Sequence, residues 1–195
     1  MKETGVIKFD CHWTKASPLP YTEIAELNEW RNKMYARRYI GLNEDSIGYG
    51  NISIRSSAKQ FIISGSATGH LENLTNEHYT QVVDYYLEAN WVTCQGPIVA
   101  SSESLTHAAL YECDESIKAV IHIHDNTLWK KLLTKIPTTL ATVEYGTPAM
   151  ALEVKRLFRE SDLKSIKLLA MAGHQDGLIA FGANLKEAGN LLLQA

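Results

Sequence analysis

The stretch Ala119-Val120-Ile121-His122-Ile123-His124 alternates in a way that suits a short β-strand. Side chains at i and i+2 on a strand point the same way, so His122 and His124 share one face while Ile121 and Ile123 take the other. Two imidazoles aimed at a common point can chelate a divalent metal. Catalytic zinc takes three protein ligands, with nitrogens at roughly 2.0–2.1 Å, and keeps one position open. A third ligand must come from elsewhere, and His174 is the best placed. It stands in Ala172-Gly173-His174-Gln175-Asp176-Gly177, a glycine-flanked turn between the apolar runs Leu168–Met171 and Leu178–Phe181. Taken alone, the His-x-His pair is equally compatible with a solvated strand face that holds no metal. His12, His70 and His78 lie in polar or loop contexts, and His107 reads as a helix residue near the site rather than a ligand.

The 195 residues, 45% hydrophobic and 21% charged, have the size and composition of one globular domain, which excludes a disordered, collagenous or disulfide-stapled chain. The net charge of -3 supplies no basic field for nucleic acid or anionic membrane, and Lys and Arg are scattered except for Arg37-Arg38. No apolar stretch approaches the roughly 20 residues of a membrane span. The start Met1-Lys2-Glu3 leads into no signal-like apolar run, so a cytoplasmic protein is expected. Cys11, Cys94 and Cys113 lack a Cys-x-x-Cys spacing and read as reduced structural thiols.

Around the 119–124 strand the chain divides into an N-terminal arm, residues 1–21, and a single domain, residues 22–195. The arm reads as irregular, although Val6, Ile7 and Phe9 could add an edge strand. A helix capped by Thr22 presents Ile24, Leu27, Trp30 and Met34 at helical spacing. Residues 52–55 and 61–64 read as two strands joined by a polar turn, and 75–90 as either strand or helix. Ser102 can cap a helix carrying Leu105, Ala108, Ala109 and Tyr111. Residues 127–134 look helical and Thr139–Tyr145 extended, Pro148 opens a helix to about Glu160, and a last helix follows Asn184. The sum is an α/β fold without regular βαβ alternation.

Read in order, Gly50-Asn51-Ile52-Ser53-Ile54-Arg55, Ser64-Gly65, Ser101-Ser102-Glu103 with His107 and Tyr111, His122-Ile123-His124, and His174 with Gly177 resemble the class II aldolase/adducin family over residues 22–195. The resemblance implies a three-layer α/β/α sandwich with a mostly antiparallel central sheet, assembled as a homotetramer with sites at subunit interfaces. It also implies a Zn2+ cofactor on His122, His124 and His174, with Glu103 as the acid/base carboxylate. A substrate phosphate would be held by Gly50, Asn51, Ser64, Gly65, Ser101 and Ser102, in keeping with glycine backbones, hydroxyls and a helix N-terminus that favour an anion.

The activity implied is a zinc-dependent lyase of aldolase type that cleaves a small phosphorylated ketose through a metal-stabilised enediolate. A dehydratase or 4-epimerase on the same site and a non-catalytic adducin-like scaffold are the alternatives. Family epimerases tend to carry Asp where this chain has Glu103, which favours a lyase. The segment 125–146 is shorter than the one from which family aldolases supply a tyrosine proton donor across the interface, and Tyr145 matches a different, structural tyrosine. Family members place glycine directly after the third histidine, whereas Gln175-Asp176 intervene here. Asp176 is therefore expected to hydrogen-bond a ligand imidazole.

Overall fold

The computed structural model describes residues 7–44 and 46–195. Ile7 and Phe9 fall within it, whereas Val6, the first of the three edge-strand candidates, lies outside the described residues. The edge strand exists but is displaced along the chain, as β1 (Asp10–Lys15). Helix α1 (Tyr21–Ala36) follows, then the short pair β2 (Gly41–Leu42) and β3 (Gly48–Tyr49). Next come β4 (Asn51–Arg55), β5 (Phe61–Ser64), a 3₁₀ turn at Asn76–His78, β6 (Tyr79–Tyr86) and β7 (Trp91–Gly96). The second half runs α2 (Ser104–Cys113), β8 (Ala119–His124), α3 (Asn126–Leu132), α4 (Pro148–Glu160), α5 (Leu163–Ile166), β9 (Leu168–Ala170), β10 (Gly177–Gly182) and α6 (Leu185–Gln194).

Eight strands form one sheet in the order β1-β7-β6-β5-β4-β8-β10-β9. The expectation of a mostly antiparallel sheet needs correcting to a mixed one. β1 returns along the edge and pairs parallel with β7, Asp10 opposite Trp91, whereas the pairings between β7 and β9 are antiparallel. At the centre, β8 sits between β4 and β10. Its register sets Asn51 opposite His122 and Gly177 opposite His124.

Alternation along β8 divides the core. Ala119, Ile121 and Ile123 pack with Ile24, Leu27 and Met34 of α1 and with Leu185, Ala188 and Leu192 of α6. Val120 faces the other way, into Leu105, Ala108 and Ala109 of α2 and Met150, Ala151 and Val154 of α4. Each Val, Leu, Ile or Met among them contributes about 1.5–3 kcal/mol when fully buried, so the strand cannot slip by one residue without exposing one core and burying histidines in the other. His122 and His124 therefore lie on the side of α2, whose N-cap residue is Glu103.

Several expected details change. Thr22 is not the cap of α1, because the helix already includes Tyr21 and no side chain caps it. Ser102 does not cap α2 either; Glu103 occupies that position, without a side-chain capping bond. Both readings of 75–90 hold in part, since Thr75 caps the 3₁₀ turn and β6 follows it. Residues 139–145 form turns instead of a strand, and a single bridge joins Thr138 to Ala170. In place of a sheet partner, this segment hangs on Glu153 of α4, whose Oε1 accepts from the Leu140 N–H at 3.0 Å.

One buried cation supports the loop that borders the site. Arg31 on α1 is 1% exposed, and its guanidinium donates to the carbonyls of Thr68 (3.1 Å), Gly69 (3.3 Å) and Glu72 (2.9 Å). Cys11, Cys94 and Cys113 are free thiols. Among the described residues, no helix is long and apolar enough to cross a membrane.

Candidate active site

His122 and His124 rise from the end of β8, and the turn between β9 and β10 swings His174 over them. His124 Nε2 lies 3.1 Å from His122 Nε2 and 3.0 Å from His174 Nε2. The expected convergence of three imidazoles separated by 50 residues is thus present in the fold. His122 Nδ1 donates to the Leu178 carbonyl at 3.1 Å, which turns its Nε2 toward the other two imidazoles. That nitrogen faces Glu103 Oε2 at 2.8 Å as well as His124. Glu103 Oε1 stands 3.7 Å from His174 Nε2 and, although buried, has no hydrogen-bond partner.

This donor set fits a divalent cation. Three imidazole nitrogens and a carboxylate oxygen crowd toward one point, and a tetrahedral zinc with nitrogens at ~2.05 Å would space them about 3.3 Å apart. The three histidines are grouped within 4.8 Å. Burial pushes His174 down to about 4 and, helped by the neighbouring imidazoles, His124 well below the usual histidine range. Both rings therefore keep their lone pairs at neutral pH, as ligation requires. Burial on its own would raise the Glu103 carboxyl, but His122, His174 and the Asn51 amide outweigh it and hold the group below the ordinary carboxylate range.

A cleft of ≈ 970 Å³ opens above these groups. Gly50, Asn51, Gly65, Ser101, Ser102, Glu103, His124 and His174 line it, while fully buried His122 lies beneath. Gly50 adopts φ +77°, in the left-handed region, and a Cβ there would come within 2.7 Å of Ile40. Ser64 is the exception among the expected residues. It does not line the cleft, and its hydroxyl accepts from the Ile52 N–H at 3.2 Å, bracing β4 against β5. Asn51 reaches the cleft but is already engaged, Nδ2 donating to Glu103 Oε2 at 2.9 Å. The expectation for Asp176 also fails. Its carboxylate accepts from Asn126 Nδ2 at 2.6 Å and not from a ligand imidazole.

Other cleft residues escape a reading of motifs. Arg38 is the one cation among the described lining residues, and Tyr49 tilts its ring over His124 at 5.2 Å. Ser66, Thr68 and Gly69 extend the wall that Arg31 holds from behind. The Arg37-Arg38 pair was visible as the one break in an otherwise scattered basic pattern. His107, as expected, is not a ligand. Its Nδ1 sits 2.7 Å from Ser53 Oγ, which in turn meets the Tyr111 hydroxyl at 2.7 Å. Burial lowers His107 to about 3, so this support under Glu103 is neutral.

With this geometry established, comparison with known proteins identifies the class. The model of the class II aldolase and adducin N-terminal domain matches residues 34–195, and the chain belongs to that family. Among solved structures, L-fuculose 1-phosphate aldolase superposes with a TM-score of 0.67 at 17% identity, over 91% of this chain and 82% of that one. YgbL from Klebsiella pneumoniae, proposed to be an aldolase, epimerase or decarboxylase, gives 0.64 at 17% identity, over 90% and 86%. The sugar-phosphate aldolase from Thermotoga maritima gives 0.62 at 14% identity, over 89% and 90%. These likenesses concern the fold. No curated protein sequence matches significantly.

Proposed function

We propose that the protein is a zinc-dependent lyase of aldolase type that cleaves a small phosphorylated ketose. The observation that carries the reading is the buried Glu103 carboxylate set against three converging imidazole nitrogens at the floor of an open cleft. The names of two structural neighbours, L-fuculose 1-phosphate aldolase and a sugar-phosphate aldolase, support the substrate class.

His122, His124 and His174 would hold the cation. A divalent ion there supplies Lewis-acid polarisation of the carbonyl and adjacent hydroxyl oxygens of a bound ketose. Glu103, ionised and next to that point, exchanges a proton with the substrate carbon beside the carbonyl. Asn51 restricts the carboxylate to one orientation and stabilises its charge. The backbone at Gly50 and the hydroxyls of Ser101 and Ser102 offer donors to an anionic group, while the Gly65 N–H is spent on the His78 carbonyl at 2.9 Å and Ser64 braces that wall from behind. A homotetramer with interfacial sites, which rests on the family resemblance, and a cytoplasmic setting, which rests on the sequence pattern, complete the proposal.

Purification without added metal, followed by elemental analysis and a panel of ketose 1-phosphates and 5-phosphates, tests the reading. Near-stoichiometric zinc that is lost in His122→Ala, with chelator-sensitive aldehyde release, is the expected result. Substoichiometric zinc that His122→Ala leaves unchanged would remove the enzyme reading. Release of water without aldehyde would redirect it to a dehydratase.

A further inference from the structure

We infer that Tyr145 and Lys8 are positioning residues for His174, so that the N-terminal arm and the irregular segment before α4 together set the aim of the third imidazole; the inference rests on the three histidines forming a metal centre. The three rings are not anchored alike. His122 is oriented by the bond from Nδ1 to the Leu178 carbonyl. His174 has no such bond, since among the described residues its Nδ1 meets no acceptor, and it stands on a turn rather than a strand. A histidine ligand without a partner on its other nitrogen needs some other restraint on ring rotation.

Packing supplies it. The Tyr145 ring lies on His174 with centroids 4.1 Å apart and planes 23° from parallel. The His122 ring is 5.3 Å away at 28°, so two flat surfaces pack near the third imidazole. Tyr145 is itself held. Lys8 Nζ sits 3.8 Å from its ring centroid, donates to its carbonyl at 3.1 Å and pairs with Glu144 Oε2 at 3.6 Å. An ammonium and an imidazole both about 4 Å from one centroid would collide on a single face, so Lys8 and His174 occupy opposite faces of the phenol ring. The result is a stack running from ammonium to phenol to imidazole, in which Lys8 is the outermost member and comes from the arm.

The test compares full-length wild type with Tyr145→Leu, Tyr145→Phe and Lys8→Met. Cobalt(II) affinity is measured by competition, together with the visible spectrum of the cobalt protein. Tyr145→Leu should weaken cobalt binding roughly 10- to 100-fold, the usual effect of losing a group that orients a ligand, and should alter the cobalt bands. Tyr145→Phe keeps the flat surface and should restore both to near wild type. Lys8→Met retains the stem but not the charge over the ring, and should weaken binding by roughly threefold to tenfold; as a partly exposed arm residue it leaves the core intact. In metal-free protein, the His174 ring protons should lie upfield in wild type and Tyr145→Phe, and move downfield in Tyr145→Leu. Wild-type affinity and spectrum in Tyr145→Leu, or equal losses in Leu and Phe variants, would overturn the proposal. Failure of wild type to take cobalt would instead sink the metal centre, and the proton shifts would still decide the stack.

Discussion

Asn51 on β4 donates from Nδ2 to Glu103 Oε2 at 2.9 Å, and both side chains are buried at the floor of the cleft. The amide is therefore a partner of the carboxylate before any substrate arrives. A hydrogen bond to a charged group contributes about 1.5–3 kcal/mol, which corresponds to roughly 10- to 100-fold in rate if it is needed in the transition state. Asn51→Ala should accordingly lower kcat by that factor, with a smaller effect on KM. A change confined to KM, and only for phosphorylated substrates, would assign Asn51 to anion binding instead.

Glu103 itself is separable from the imidazoles by substitution. Glu103→Gln preserves size and the contact with His122 but cannot take up a proton, so turnover should fall by roughly 10²–10⁴ while zinc content and melting temperature stay near wild type. Retained turnover would move the proton transfer to another group.

Gly173 precedes the third histidine, and a Cβ there would lie 1.8 Å from the Val143 carbonyl oxygen and 3.2 Å from that of Leu140. Both obstacles are backbone, so no side-chain rotation can relieve the clash. Gly173→Ala should destabilise the protein by about 3 kcal/mol or more and lower its zinc content, measured by thermal unfolding and elemental analysis. Unchanged values for both would show that the 139–147 segment is free to move away.

Glu153 fastens that same segment to α4. Its carboxylate takes the Leu140 N–H and both prongs of Arg156, at 2.8 Å each. The hydrogen bonds from Arg156 lower its pKa, and the Leu140 amide adds to the effect against the opposing burial. A carboxyl depressed in the folded state stabilises the protein above its unfolded pKa of about 4.3, and the contribution disappears as pH falls through the lower folded value. Glu153→Gln should therefore cost about 1.5–3 kcal/mol at pH 7. The gap to wild type should close on acidification below about pH 4. Equal gaps across the whole range would indicate that packing, not charge, sets the loss.

Much of the fold was legible because its central strand carries a clear two-residue alternation. Alternation in 119–124 selects the strand and places both histidines on one face, and glycines flanking His174 mark a turn able to reach them. Glu103 was legible only through the family resemblance, since a carboxylate at a helix start beside two serines is by itself an ordinary stabilising group. The remainder depends on contacts between segments distant along the chain. Nothing local to Asn51 shows that its amide is spent on residue 103, and nothing local to Ser64 shows that its hydroxyl serves Ile52. Residues 139–145 have strand-like composition, yet their hydrogen bonds go to Glu153 and to the carbonyl of Ala170, so tertiary partners override local preference. The mixed character of the sheet arises in the same way, from an arm that pairs with a strand some 80 residues later.

The arrangement around Arg31 differs in kind from the tie at Glu153. All three of its acceptors are peptide carbonyls, which neither titrate nor carry a net charge that counterions could mask. Acid and concentrated salt, which weaken carboxylate tethers, leave this clasp untouched. One wall of the cleft is thereby held through groups without net charge, while the segment that brings Tyr145 to the cleft, fastened through a carboxylate, remains sensitive to the ionic surroundings.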